Sequence, residues 1–233
     1  MRVPEFFKST KAQVWVVGSH MYGMNTPDSD LDFTGVYHDV LEYRSPFFDR
    51  DATITSSNNN YSLHTASKIA KMLVKGNFNA VDLVFHEPVV VQPFVKGMLD
   101  VARPYVLTQN VASAYMGYIS SQKDRLVGHK PQSPARKAQV EKLGYDPKYA
   151  AHLLRGMKTL YHLLETGEYL YLQGGLLETL TEIKLGNFDA VQVAALIDNF
   201  LPKLRDSYER NKSKLELPGL LQSELVAYFI LNA

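Results

Sequence analysis

The chain has 233 residues, of which 45% are hydrophobic and 21% charged, with a formal net charge of +1 and no cysteine. That length suits one large domain or two small ones and is enough to bury a substantial core. The near-neutral balance argues against a protein that coats nucleic acid, the lack of cysteine excludes disulfides and thiolate zinc sites, and no apolar run approaches the length of a membrane span.

Residues 1–12 read as a short lead-in with one helical turn around Glu5 to Lys8 and without the long apolar core of a signal peptide. A cytoplasmic location is the expectation. Gln13 to Val17 is apolar and β-prone and is expected as the first core strand; Ser19 to Met24 follows as a short helix or turn, and Asn25 to Ser29 has turn chemistry around Pro27. Leu31 to Tyr37 is the second strand. Residues 38–51 form an irregular aromatic segment, Ala52 to Thr55 a third strand, and Ser56 to Asn60 a polar loop. From Ser62 a helix is expected, with Leu63, Ala66, Ile69, Ala70, Leu73 and Val74 on one face and Gly76 as its C-cap. Val81 to Phe85 is a strand or a short helix, and Pro88 to Val91 leads into the second half.

That second half reads as helical. Tyr105 to Leu126 has helical periodicity after Pro104, and Gln122 to Lys142 is rich in basic residues, with a loop centred on Pro131 and Pro134. Asp146 and Pro147 are an N-cap followed by proline at the first helical position, opening a helix that runs to about Thr166 and stops at Gly167. Three more helices follow, at Leu176 to Leu185, at Asp189 to about Leu215 with Pro202 inside it, and at Leu220 to Leu231.

The chemistry concentrates in Val14 to Tyr37, VWVVGSHMYGMNTPDSDLDFTGVY. Side chains of a strand face one side at every second residue, so Asp30 and Asp32 are expected on one side with Leu31 and Phe33 in the core. Paired carboxylates repel one another unless a cation lies between them, and hard oxygen donors suit Mg²⁺ or Mn²⁺. Gly18 allows a tight turn and close approach of a ligand, and Ser19 begins a helical turn whose free N–H groups favour an anion. A nucleoside triphosphate fits both halves, its phosphates on Gly18 and Ser19 and its metal on Asp30 and Asp32. The alternative is ordinary turn and capping chemistry for the same residues. His20 is read as a loop histidine rather than an acid or base.

The GS at a strand end followed by SDLD opening the next strand resembles the DNA polymerase β superfamily of nucleotidyltransferases. More narrowly, GSHMYGMNTPDSDLDFTGVY, together with GYDPKYAAHLLR at Gly144 to Arg155 and LLETGEY at Leu163 to Tyr169, is similar to bacterial and phage nucleotidyltransferases linked to RNA repair. The resemblance implies an α+β fold, with a small mixed β-sheet nucleotidyltransferase domain over about residues 1–100 and a helical C-terminal domain over 101–233. It implies Asp30 and Asp32 as catalytic metal ligands and Gly18, Ser19, Tyr22, Ser29, Lys148, His152 and Arg155 around the nucleotide. It also implies an NTP as donor and an RNA or tRNA end as acceptor. One departure stands out: such sites use a third carboxylate on a neighbouring strand, and here Ser57, Asn58, Asn59 and Asn60 occupy that stretch. Asp51 and Asp82 are the substitutes considered.

On the helix after Asp146, Lys148, His152, Arg155, Thr159 and His162 recur at steps of three or four and line one stripe. Such a stripe either holds phosphate oxygens or is a solvated face; no further ligands accompany His152 and His162 to make a zinc site. The basic Gln122 to Lys142 segment either follows a phosphate backbone or keeps the chain soluble. Two other functions stay open: a nucleotidyltransferase that modifies a protein hydroxyl, and a non-catalytic nucleotide- or RNA-binding module.

Overall fold

The β-prone runs on either side of the glycine turn pair directly. In a computed structural model, which describes residues 7, 11–27, 29–38, 53–56, 60–126 and 134–232, Gln13–Val17 (β1) lies antiparallel to Asp32–Tyr37 (β2), with Val17 opposite Asp32 and Val14 opposite Gly35. Thr53–Ser56 (β3) and Tyr61–Thr65 (β4) complete a four-stranded mixed sheet in the order β1-β2-β4-β3, in which β4 runs parallel to β2 and antiparallel to β3. With this sheet and a large helical complement, the chain is α+β.

Register divides the sheet into two faces. On one, Phe7, Ala12, Val14, Phe33 and Leu63 form a core cluster, with Val16, Leu31, Tyr37 and Tyr61 packed against it. Leu31 and Phe33 thus lie on the core side, as strand alternation requires. On the other face the register aligns Trp15 with Thr34 and Ser62, and Val17 with Asp32.

The sequence places the start of a helix at Ser62, but Ser62 to Thr65 belong to the strand Tyr61–Thr65. The helix, Ala66–Val74 (α1), starts only after Thr65, whose hydroxyl accepts from the Lys68 N–H. Leu63 sits three residues before Ala66 and so imitates helical spacing, but the inward positions Leu63 and Thr65 alternate with the half-buried Ser62 and His64, a period of two. Val81–Phe85 resolves as part of a helix, Phe78–Phe85 (α2), capped by the Asn77 side chain. Pro93–Ala102 (α3) was not anticipated; Gln92 caps it and Pro93 takes its first turn.

The helices that follow are Gln109–Leu126 (α4), Pro134–Leu143 (α5), Pro147–Thr166 (α6), Gly174–Leu185 (α7), Ala190–Asn211 (α8) and Pro218–Leu231 (α9). Pro134 opens a helix rather than centring a loop, because proline at the first helical position loses no needed hydrogen bond; Pro131 and Lys130 lie outside the described residues. Around α6 the expectation holds closely: the Asp146 side chain accepts from the N–H groups of Lys148 and Tyr149, and Gly167 ends the helix at φ +74°. Asp189 and Gln192 form a reciprocal capping box at α8.

The chain divides into two compact units: Met1–Tyr22, Thr26–Val111 and Glu216–Ala233 form one, Gly23–Asn25 and Ala112–Leu215 the other. The first carries the sheet. Its helix α9 comes from the far end of the sequence and packs on α3, where the Tyr228 hydroxyl donates to the Phe94 carbonyl at 2.9 Å. In the second unit α6 is the central element, packed by α7 and α8, with Leu153, Met157, Leu160 and Leu163 inside. Among the described residues no helix is long and apolar enough to cross a membrane.

Candidate nucleotide site

The turn after β1 has the geometry that glycine alone tolerates well. Gly18 has φ +67° and opens the short 3-10 turn Gly18–His20. A Cβ built on Gly18 would lie 3.0 Å from Oδ2 of Asp32. The last residue of β1 and the first of β2 are cross-strand partners, Val17 with Asp32, so the glycine just beyond that pair meets the carboxylate. The turn and the acidic strand, identified separately in the sequence, are therefore in contact.

Asp32 is half-buried and fixed by the ladder; Asp30 lies two residues before the strand and is exposed. Ser19 is half-buried within the 3-10 turn. Ser29 closes the intervening loop: its Oγ accepts from the Thr26 N–H at 2.9 Å, and its own N–H donates to the Thr26 carbonyl at 2.9 Å. His20 Nε2 stands 3.5 Å from the Ser29 carbonyl. The Tyr22 hydroxyl donates to Asp82 at 2.5 Å. Asp82, one of the two substitutes considered for a third carboxylate, is 1% exposed and bonded to that hydroxyl. Asp51 lies outside the described residues.

The donor set can be tested against a divalent ion. Asp30 and Asp32 offer two carboxylates, and the carbonyl of Asn60, the residue before β4, accepts from the N–H of Phe33, the residue after Asp32, at 2.9 Å. Among the described residues no group of three or more His, Cys, Asp or Glu side chains is gathered to hold a metal. Asp30 and Asp32 are the residues that could hold one divalent cation, its remaining ligands coming from phosphate oxygens and water. On the same sheet face, burial and then the nearby Lys68 ammonium push the His64 imidazole below its usual value.

In the second unit, the stripe on α6 is not uniformly exposed. Lys148 is exposed and His152 half-buried, while Arg155 is 2% exposed and Thr159 lies in the interior. Lys184 on α7 was not singled out in the sequence. Its Nζ donates to the Met24 carbonyl at 2.8 Å, and burial, followed by the Lys148 ammonium, holds it below the usual lysine value. The only sequence signal for it is a lone basic residue in the last turn of a helix. Within the basic segment, Lys123 faces Asp198 at 3.5 Å between exposed side chains, and Lys137 and Lys142 are exposed.

A mixed sheet with a left-handed glycine turn set against an acidic strand accords with the polymerase-β-like nucleotidyltransferase class that the sequence resembles. The family model described as RlaP, RNA repair pathway DNA polymerase beta family, matches residues 14–213, and the chain belongs to that family. No curated protein and no solved structure matches the chain.

Proposed function

We propose that this protein transfers a nucleoside monophosphate from an NTP to a hydroxyl at an RNA end, tRNA included, and releases pyrophosphate. The observation that carries this reading is the contact between the Gly18 turn and Asp32, in a chain whose family is described by RNA repair. The acceptor oxygen bonds to the α-phosphorus, the bond from that phosphorus to the bridging oxygen breaks, pyrophosphate leaves with the electron pair, and the acceptor proton passes to solvent. The backbone of Gly18 and Ser19 receives the β and γ phosphates, because turn N–H groups aimed at one point stabilise anions. Tyr22 and Ser29 hold the loop in that shape. Asp30 and Asp32 hold Mg²⁺ or Mn²⁺, which when bound neutralises phosphate charge and acidifies the acceptor hydroxyl. In the helical part, Lys148 is an exposed cation suited to a phosphate, with His152 and the buried Arg155 following it on the stripe toward the nucleotide. Transfer belongs to the sheet-bearing unit, about residues 1–100 joined by α9 from the far end of the chain.

Asn60 favours a second reading. A carboxamide gives a metal one neutral oxygen, so a site with Asn60 in the stretch expected to carry the third acid is weaker than one with three acids, and a module that binds nucleotide without turning it over accords with that. Labelled NTPs incubated with RNA and lysate, then treated with nuclease or protease, separate the cases. Label lost to nuclease supports RNA transfer, label lost to protease makes the acceptor a protein, and NTP binding without pyrophosphate release establishes the binding module.

A further inference from the structure

Tyr22 and Asp82 are 60 residues apart in the sequence, and the fold joins them. Asp82 lies on α2 with 1% of its surface exposed and accepts the Tyr22 hydroxyl at 2.5 Å. A carboxylate is costly to bury unless it is hydrogen-bonded, and a hydroxyl donating to a carboxylate makes a short, strong bond. The same end of α2 is tied to β1. His86 brings both its backbone N–H, at 3.1 Å, and its ring Nδ1, at 2.9 Å, to the Asp82 carbonyl, and the His86 carbonyl accepts from Trp15 Nε1 at 2.8 Å. The Tyr22 ring meets the His86 ring edge-on, with centroids 5.7 Å apart. Trp15 comes three residues before Gly18 and Tyr22 four residues after it. Both arms of the Gly18 turn are thus fastened to the C-terminal end of one helix.

We propose that Asp82 is a positioning residue which, through Tyr22, holds the Gly18–Ser19 turn in the shape that receives nucleotide phosphates. The role rests on reading that turn as the nucleotide site. It differs from the metal-ligand role considered for Asp82, since the carboxylate is directed at Tyr22 and acts on phosphate only through the loop. A glycine turn with wide conformational freedom drifts from its binding shape if one arm is released.

Calorimetric titration of the magnesium complexes of ATP, CTP, GTP and UTP, each in turn, tests this on the wild type, Tyr22→Phe, Asp82→Asn and the double variant, with a thermal unfolding curve for each. Tyr22→Phe removes one oxygen and leaves the ring packing against His86. Each single variant is expected to weaken nucleotide binding about tenfold, and the double variant to be no weaker than either, because both remove the same bond. A role confined to stability lowers the unfolding midpoint and leaves affinity unchanged; that result, or losses that add in the double variant, overturns the proposal. If the wild type binds none of the four, the nucleotide reading of the turn falls and this role with it. If the wild type binds and both single variants match it, the positioning role alone falls.

Discussion

At the scale of single residues, the argument turns on Gly18. Its φ of +67° disfavours any L side chain, and the space a Cβ would enter is bounded by the Asp32 carboxylate. Gly18→Ala is therefore expected to cost more than about 1 kcal/mol in denaturant unfolding and to weaken NTP binding in the same preparation. An alanine variant with wild-type stability and affinity would contradict this account of the turn. His64 gives a pH prediction with a definite sign. Its folded value lies below the ordinary imidazole value of 6.5, through burial first and Lys68 second, so the unfolded chain takes up its proton more readily. The stability due to neutral His64 is complete above about pH 6.5 and is lost as pH falls through the window below it. The unfolding midpoint should drop between pH 7.5 and pH 5.5, and His64→Gln should flatten part of that drop; an unchanged profile in the variant would remove His64 as its source. The turn at Gly18 was legible beforehand, but its contact with Asp32 and the setting of His64 were not. The sequence shows a glycine and an aspartate fourteen positions apart, whereas their contact depends on β1 and β2 pairing with Val17 opposite Asp32.

At the scale of elements, the helix with the strongest local signals was legible, while Pro93–Ala102 and the helix opened by Pro134 were missed although each begins at a proline. Asp146 and Pro147 carry their own start signal, and the helix runs from Pro147 to Thr166 as the caps require. Asp146→Ala removes the acceptor for two N–H groups and should cost about 1 kcal/mol, roughly 2–4 °C in the unfolding midpoint; a shift within error would mean that backbone and water satisfy those groups without it. Local signals failed where tertiary pairing decides. Tyr61–Thr65 contains a leucine at helical distance from the next helix, and only its pairing with β2 and β3 makes it a strand. The link from Tyr22 to Asp82 and that from Lys184 to Met24 span 60 and 160 positions. No window of sequence holds both partners.

At the scale of the whole molecule, the order of the chain and the order of the fold differ. The last helix, α9, belongs with the sheet, and removing residues 216–233 withdraws Tyr228 and Phe229 from Phe94. Truncation is expected to lower the unfolding midpoint reported by Trp15, the single tryptophan, by more than about 5 °C; an unmoved Trp15 transition would show that the sheet unit stands without α9. The family was legible because its two segments, around Gly18 to Asp32 and around Asp146 to Arg155, keep their residues in order over most of the chain. The central claim is that the Gly18 turn and Asp32 together hold a metal-bound nucleotide. Calorimetric titration of the wild type and of Asp32→Ala with each of the four NTPs, in Mg²⁺ and in EDTA, tests it most directly. The account predicts that at least one NTP binds the wild type in Mg²⁺, and that either EDTA or Asp32→Ala weakens that binding at least tenfold. Absence of binding by every NTP, or binding indifferent to both EDTA and Asp32→Ala, would contradict it.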